Sequence, residues 1–219
     1  ISEIHAFVAD EFYLHVIDIT DPANPRLVTS LETAVPAFRV TVAGAYAYVA
    51  GGYYGAEVYD ITNPESPRDV SHLSASANAC RVAASGGYAY IADDWAGLRV
   101  FDLTSPASPR FVCRLDTPGR ACDLAVLGSF VYVADDASGL TVIDIASPAG
   151  PRVAGTLDTP GAAAAVVVSD THAYVADYHA GLVVLPLQCG GLTAVRLAQF
   201  RAERRGATAT VSWVVSRAP

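Results

Sequence analysis

Two sets of carboxylates carry most of the chemistry this sequence could perform. The first set is Asp18, Asp60, Asp102 and Asp144, each in the same context: Asp18-Ile19-Thr20-Asp21-Pro22 recurs as Asp60-Ile61-Thr62-Asn63-Pro64, and so on. Four such groups could act as acids, bases or metal ligands. An active site is rarely needed in every unit of a repeat, so a structural role is expected instead. Each carboxylate would accept hydrogen bonds from the amides of its own turn. The second set mixes acids with rings: Asp10-Glu11-Phe12, Gly51-Gly52-Tyr53-Tyr54, Asp93-Asp94-Trp95, Asp135-Asp136-Ala137 and Asp177-Tyr178-His179. Aromatic faces beside hydrogen-bond acceptors suit a sugar ring, a peptide or a cation, and clustered carboxylates suit Ca²⁺. The plainer alternative is an acidic, solvated rim whose rings pack on neighbouring units. The candidate ligand set is Tyr53, Tyr54, Asp93, Asp94, Trp95, Asp135, Asp136, Tyr178 and His179, with Arg39, Arg81 and Arg120 on adjoining links.

Other chemistries find little support. His5, His15, His72, His172 and His179 show no zinc-binding spacing. Cys80, Cys113, Cys122 and Cys189 form no CxxC pair, so neither a zinc site nor a redox dithiol is indicated. Cys80 and Cys122 fall at equivalent positions of successive units and are expected to be buried free thiols. No nucleophile elbow, phosphate-binding loop or dinucleotide fingerprint occurs. No catalytic residue, resident metal or cofactor is expected; Ca²⁺ is the one ion the acids would suit.

The elements that must position these residues emerge from a repeat. The segment from Val16 to Arg26 recurs from Val58, Val100 and Val142, then in decayed form from Val184, at a constant spacing of 42 residues. A fixed period without insertions marks one structural module per unit. The second unit holds four strand-like runs, at 38–43, 46–51, 56–62 and 68–74. Four strands of about 5–6 residues and four loops of about 2–6 account for the period. The expected fold is all-β: a β-propeller arc of about five four-stranded blades, the first and last incomplete, plus a C-terminal β-hairpin. Units fall at about 1–33, 34–75, 76–117, 118–159 and 160–188. Tight hairpins are expected at Gly44-Ala45, Gly86-Gly87 and Gly128-Ser129. The paired prolines after each repeated Asp lead into an outer edge strand, where a missing N–H is tolerated. In this geometry the loops between second and third strands share one face with the links that enter the innermost strands.

Bulk properties narrow the partners. The net charge of −8 excludes a nucleic-acid footprint, which needs a basic stripe. Hydrophobic residues make up 52% of the chain, yet its longest apolar run, 162–168, falls far short of the roughly 20 residues of a spanning helix. No membrane span is expected, and the apolar content is assigned to strands buried on both faces.

The segments Leu14-His15-Val16-Ile17-Asp18, Leu98-Arg99-Val100-Phe101-Asp102 and Leu140-Thr141-Val142-Ile143-Asp144 resemble the LVIVD repeat, as do the flanking Tyr-Val-Ala-Asp and Ser-Pro-x-x-Pro-Arg stretches. Departures are Gly51, where other units have Asp, and Pro186-Leu187-Gln188, where Asp would end the motif. The resemblance implies a bacterial or archaeal propeller of secreted or cell-surface type and brings no catalytic residues. A non-catalytic module binding a protein or glycan through one face is therefore expected. The alternatives are a propeller lactonase or hydrolase with its site in blades outside this chain, and an intracellular WD-like scaffold. Inward-facing His, Glu or Asn would support the enzyme alternative, and the innermost runs Val40-Thr41-Val42, Val82-Ala83-Ala84, Leu124-Ala125-Val126 and Val166-Val167-Val168 offer none.

Methionine is absent, including at position 1, so a processed product or a fragment is expected. The strand count leaves the first and last units short, which reads as an arc of a larger ring. Residues 189–219 are expected to form a linker and the opening hairpin of an immunoglobulin-like or fibronectin type III-like module.

Overall fold

The computed structural model describes residues 4–187 with their side chains and, beyond them, the backbone of 195–205 and 208–217. Five antiparallel sheets succeed one another along the chain. The first pairs β1 (His5–Asp18) with β2 (Arg26–Ala37). Three four-stranded sheets come next. The second sheet is β3 (Arg39–Ala43), β4 (Tyr46–Ala50), β5 (Ala56–Asp60) and β6 (Arg68–Leu73). The third is β7 (Arg81–Ser85), β8 (Tyr88–Ala92), β9 (Leu98–Asp102) and β10 (Arg110–Leu115). The fourth is β11 (Asp123–Leu127), β12 (Phe130–Ala134), β13 (Leu140–Asp144) and β14 (Arg152–Leu157). The fifth begins with β15 (Ala163–Val168), β16 (His172–Asp177) and β17 (Gly181–Pro186). No α-helix occurs among the described residues. This is the expected all-β propeller arrangement, with strands meandering from the inside of each blade outward.

β1 is a hairpin written as one strand. Ile19 N donates to Ile4 O at 2.8 Å, as Ile61 N does to Ala45 O one unit later, and Glu11 turns the chain with φ +46°. β1 thus supplies the second and third strands of a blade. At the other end, β18 (Val195–Arg205) and β19 (Thr208–Arg217) form the expected hairpin. It continues the fifth sheet, Val184 pairing with Val195. The side chains of this hairpin, including the basic group Arg196, Arg201, Arg204 and Arg205, lie outside the described residues, as does Cys189.

Alternation of side chains across a strand explains the apolar runs. Tyr48 and Ala50 of β4 face forward and pack with Val82, Ala89, Ile91 and Phe101 of the third sheet. Ala47 and Val49, between them, face back onto Phe7, Leu14 and Val16. Equivalent clusters join the third sheet to the fourth and the fourth to the fifth. Every internal sheet is therefore buried on both faces, which explains the near-continuous apolar runs; the buried polar exceptions Glu57, Arg99 and Thr141 are hydrogen-bonded. Truncating one buried apolar side chain, Leu98→Ala for example, would cost about 2–5 kcal/mol.

The outer strands carry their own device. A register shift recurs between third and fourth strands at Val16/Ile17, Val58/Tyr59, Phe111/Cys113 and Val142/Ile143. A bulge there twists the exposed edge and discourages pairing with another chain. The repeated aspartates lie at the adjoining turn. Asp18, Asp60, Asp102 and Asp144 accept the amide two residues on, at 2.8, 2.9, 2.7 and 2.8 Å. The first three also accept a threonine hydroxyl, from Thr20, Thr62 and Thr104. That hydroxyl first, and the amide second, hold these three carboxyls below the ordinary carboxylate range.

Candidate ligand-binding face

The loops between second and third strands close in the same way in each internal blade. In the third, Asp93 N donates to Gly97 O at 2.9 Å and Gly97 N to Asp94 O at 3.1 Å. Asp94 adopts φ +50° and Gly97 φ +73°. A Cβ on Gly97 would stand 2.4 Å from Leu115 O, so the close approach of the fourth strand requires glycine there. The same loop then grips the link to the next blade, since Ala121 N donates to Asp94 O at 3.0 Å. Gly52 with Ala79, and Asp136 with Ala163, repeat that bridge. Loops and links therefore form one continuous rim.

A left-handed residue, Glu11, Gly52, Asp94 or Asp136, marks the same point in four of these loops. The next residue along is Phe12, Tyr53, Trp95 or Ala137, and His179 holds this place in the fifth unit. Phe12, Tyr53 and Trp95 occupy one structural position in three successive blades, and they are 49%, 80% and 72% exposed. The first loop is one residue shorter than the others, and this hides the correspondence in a linear alignment. Tyr54, Tyr178 and His179 are also exposed on their loops.

The aspartates divide sharply. Asp93 and Asp135 are wholly buried. Asp93 accepts the amides of Ser76 and Ala77 at 2.6 and 3.1 Å. Asp135 accepts Gly119 N at 3.0 Å and the hydroxyls of Thr117 and Thr141 at 2.7 and 2.9 Å. These carboxylates pin the linkers between blades, and neither is presented to a ligand at the surface. Asp177 does the same for Gly161 N at 2.9 Å.

Asp94 is buried beneath the rim and grips Arg120, with Nε at 2.7 Å and Nη2 at 3.3 Å. Asp136 flanks the same guanidinium at 3.8 Å, and the Asp94 hydrogen bonds, foremost, raise its already high pKa. Arg120 in turn lies 5.5 Å from the centroid of the Trp95 ring. One side of Trp95 is backed by a fixed cation, and the ring remains largely open to solvent.

The first residues of the inner strands β3, β7 and β11 are Arg39, Arg81 and Asp123. Arg39 Nη1 and Arg81 Nε approach Asp123 Oδ1 at 3.4 and 3.7 Å, and Asp123 Oδ2 accepts Val166 N at 3.1 Å. One buried carboxylate thus ties the inner strands β3, β7, β11 and β15. Sequence reasoning missed Asp123, although its signal was present: it stands in register with two arginines. Cys80 and Cys122, the residues before Arg81 and Asp123, are free thiols, half-buried where the sequence predicts full burial. Burial pushes Cys80 up to about 11 and raises Cys122 likewise.

Comparison with known proteins agrees with this architecture. LVIVD repeat units match residues 1–33, 36–73, 76–117, 118–159 and 160–185. Among solved structures, a functionally unknown protein from Desulfotomaculum acetoxidans DSM 771 superposes with a TM-score of 0.77 at 18% identity. The match covers 86% of this chain and 64% of that one, so this chain spans less than two thirds of its neighbour. That likeness speaks to the fold alone. No curated protein matches the sequence. On the five matched units, and on the blades they build, this chain belongs to the LVIVD repeat family.

Proposed function

We propose that this chain is a non-catalytic binding module of a secreted or cell-surface protein, and that it engages a protein or glycan ligand through its rim of loops and links. The observation that carries this proposal is the exposure of Phe12, Tyr53 and Trp95 at one loop position in three consecutive blades. Large rings left in solvent at equivalent positions add no packing to the fold, whereas they offer flat apolar surfaces for stacking. Trp95 is the anchor, because Arg120 backs its ring and fixes its plane. The buried Asp93 and Asp135 act beneath it as scaffold. The extracellular setting is proposed from the family resemblance.

Screening the full chain against glycan and peptide arrays tests this, with titration of any binder by tryptophan fluorescence in a Trp213→Phe background. Trp95→Ala is expected to weaken binding at least tenfold, with Tyr53→Ala and Phe12→Ala smaller in effect and thermal stability unchanged. A ligand whose affinity is indifferent to all three substitutions would place the binding surface elsewhere.

A further inference from the structure

We propose that the ligand of this rim is a neutral glycan, with pyranose units stacked on Tyr53 and Trp95 and their hydroxyls held by Asn78 and by Arg120 with Asp136. This inference rests on the rim reading above and narrows it to one ligand class. Asn78 and Arg120 stand one repeat apart, at the same position of two successive links. Each comes just before the alanine, Ala79 or Ala121, that bridges to the loop bearing Tyr53 or Trp95. Each ring is therefore accompanied by a polar side chain from the adjoining link.

Beside Trp95, hydrogen-bonding capacity is left unspent. Asp94 takes Nε and Nη2 of Arg120, while Nη1 lies 3.8 Å from Asp136 Oδ2, beyond hydrogen-bond reach. No described residue donates a hydrogen bond to the Asp136 carboxylate. A spare donor and a spare acceptor thus flank one gap. The guanidinium centre is 5.5 Å from the Trp95 centroid, which brings the gap within the span of a single pyranose and its hydroxyls. A hydroxyl both donates and accepts, so it can bridge the two groups; a carboxylate only accepts and an ammonium only donates. Asp94 and Asp136 outweigh Arg120 in charge, so a carboxylated or sulfated sugar is repelled.

Beside Tyr53 the same position carries an uncharged group. A Cβ on Gly52 would lie 3.0 Å from Asn78 Oδ1 and 2.9 Å from the edge of the Phe38 ring, so the amide and that ring converge over the residue before Tyr53. The Asn78 side-chain amide, with two donors and an acceptor, is bound by no described residue. The rings themselves favour a sugar over a peptide. Tyr53 and Trp95 are so exposed that they cannot line a cavity of the kind that takes a peptide side chain. They suit the flat C–H face of a pyranose, which needs a platform and not a pocket.

The probes are methyl glycosides of glucose, galactose, mannose, fucose and N-acetylglucosamine, with methyl glucuronide as the charged counterpart. They are titrated into the full chain by saturation-transfer NMR, and by tryptophan fluorescence in a Trp213→Phe background. At least one neutral glycoside is expected to bind at Trp95, and the glucuronide more weakly. Asp136→Gly removes the acceptor while keeping the backbone, since φ there is +52° and the second blade has Gly52 at the same point. It should weaken binding at Trp95 about tenfold, as loss of a hydrogen bond to a charged group does. One monodeoxy analogue of the bound glycoside should lose that factor against the wild-type chain and nothing against Asp136→Gly, a pattern that a merely structural role would not produce. Asn78→Ala should reduce the saturation transfer that persists in Trp95→Ala. The proposal is overturned if no neutral glycoside binds, if the glucuronide binds more tightly, or if every monodeoxy loss is alike in both chains. A peptide that binds through Trp95 while no glycoside binds overturns it and leaves the rim reading intact. A glycoside indifferent to Trp95, Tyr53 and Phe12 removes both.

Discussion

Arg120, on the link into the fourth blade, is gripped through two nitrogens by Asp94 of the third, and its guanidinium lies over Trp95. The pair joins two blades and steadies the ring proposed to meet the ligand. Asp94→Asn should cost about 1–2 kcal/mol, a figure kept low because Arg120 is more than a third exposed and partly screened. Arg120→Ala should cost a similar amount and shift the Trp95 emission, read in a Trp213→Phe background. An unchanged spectrum would mean that the cation does not order the ring.

The second blade shows how one carboxylate can replace another. Asp93 in the third blade caps Ser76 N, and the equivalent amide in the second blade, Ala34 N, is capped by Glu57 at 3.2 Å. Gly51 stands where the aspartate would be, and Val35 fills the vacated space, since a Cβ on Gly51 would meet Val35 Cγ2 at 2.4 Å. Tyr59 donates its hydroxyl to the second oxygen of Glu57 at 2.6 Å. Gly51→Asp alone should therefore cost about 2–4 kcal/mol, from overpacking and a second buried carboxylate. The triple change Val35→Gly, Gly51→Asp, Glu57→Thr reproduces the fourth-blade pattern of Gly119, Asp135 and Thr141, and urea denaturation should show most of that loss recovered.

This exchange illustrates where the sequence stops being readable. The period, the Gly turns and the Asp-x-Thr caps are local, so each was legible from a few consecutive residues. The Gly51 departure was visible too, but its compensation by Glu57 and Val35 was not, because those residues meet only once the hairpin and the link have closed. Phe12 escaped alignment with Tyr53 and Trp95 through one missing loop residue. Asp123 escaped because its partners Arg39 and Arg81 come from two other blades. Asp93 and Asp135 read as rim acids beside Asp94 and Asp136, although the fold buries both completely against the links between blades.

The thiols beside the inner strands give a simple check on the packing. Burial pushes Cys80 up to about 11, with the nearby Asp94 carboxylate adding to the effect, and burial likewise raises Cys122. Thiolate is the reactive form, so in a Cys113→Ser, Cys189→Ser background neither should alkylate appreciably at pH 8 while folded. Both should react in urea. Rapid labelling of the native chain would contradict the burial of the inner strands.

Acid stability should track the repeated turns. Asp18, Asp60 and Asp102 have carboxyls lowered chiefly by the threonine hydroxyls of Thr20, Thr62 and Thr104. A lowered folded-state pKa means that the unfolded chain binds protons more readily. The stabilisation is thus complete above the unfolded value of about 3.9 and is lost as pH falls through the folded one. Replacing all three threonines by valine removes the largest cause of the shift. Melting temperatures of wild type and variant should differ most between about pH 5 and 7 and converge as pH falls through the lowered folded-state values. A gap that persists unchanged into acid would show that the threonines stabilise the turns by packing, independently of the carboxylate charge.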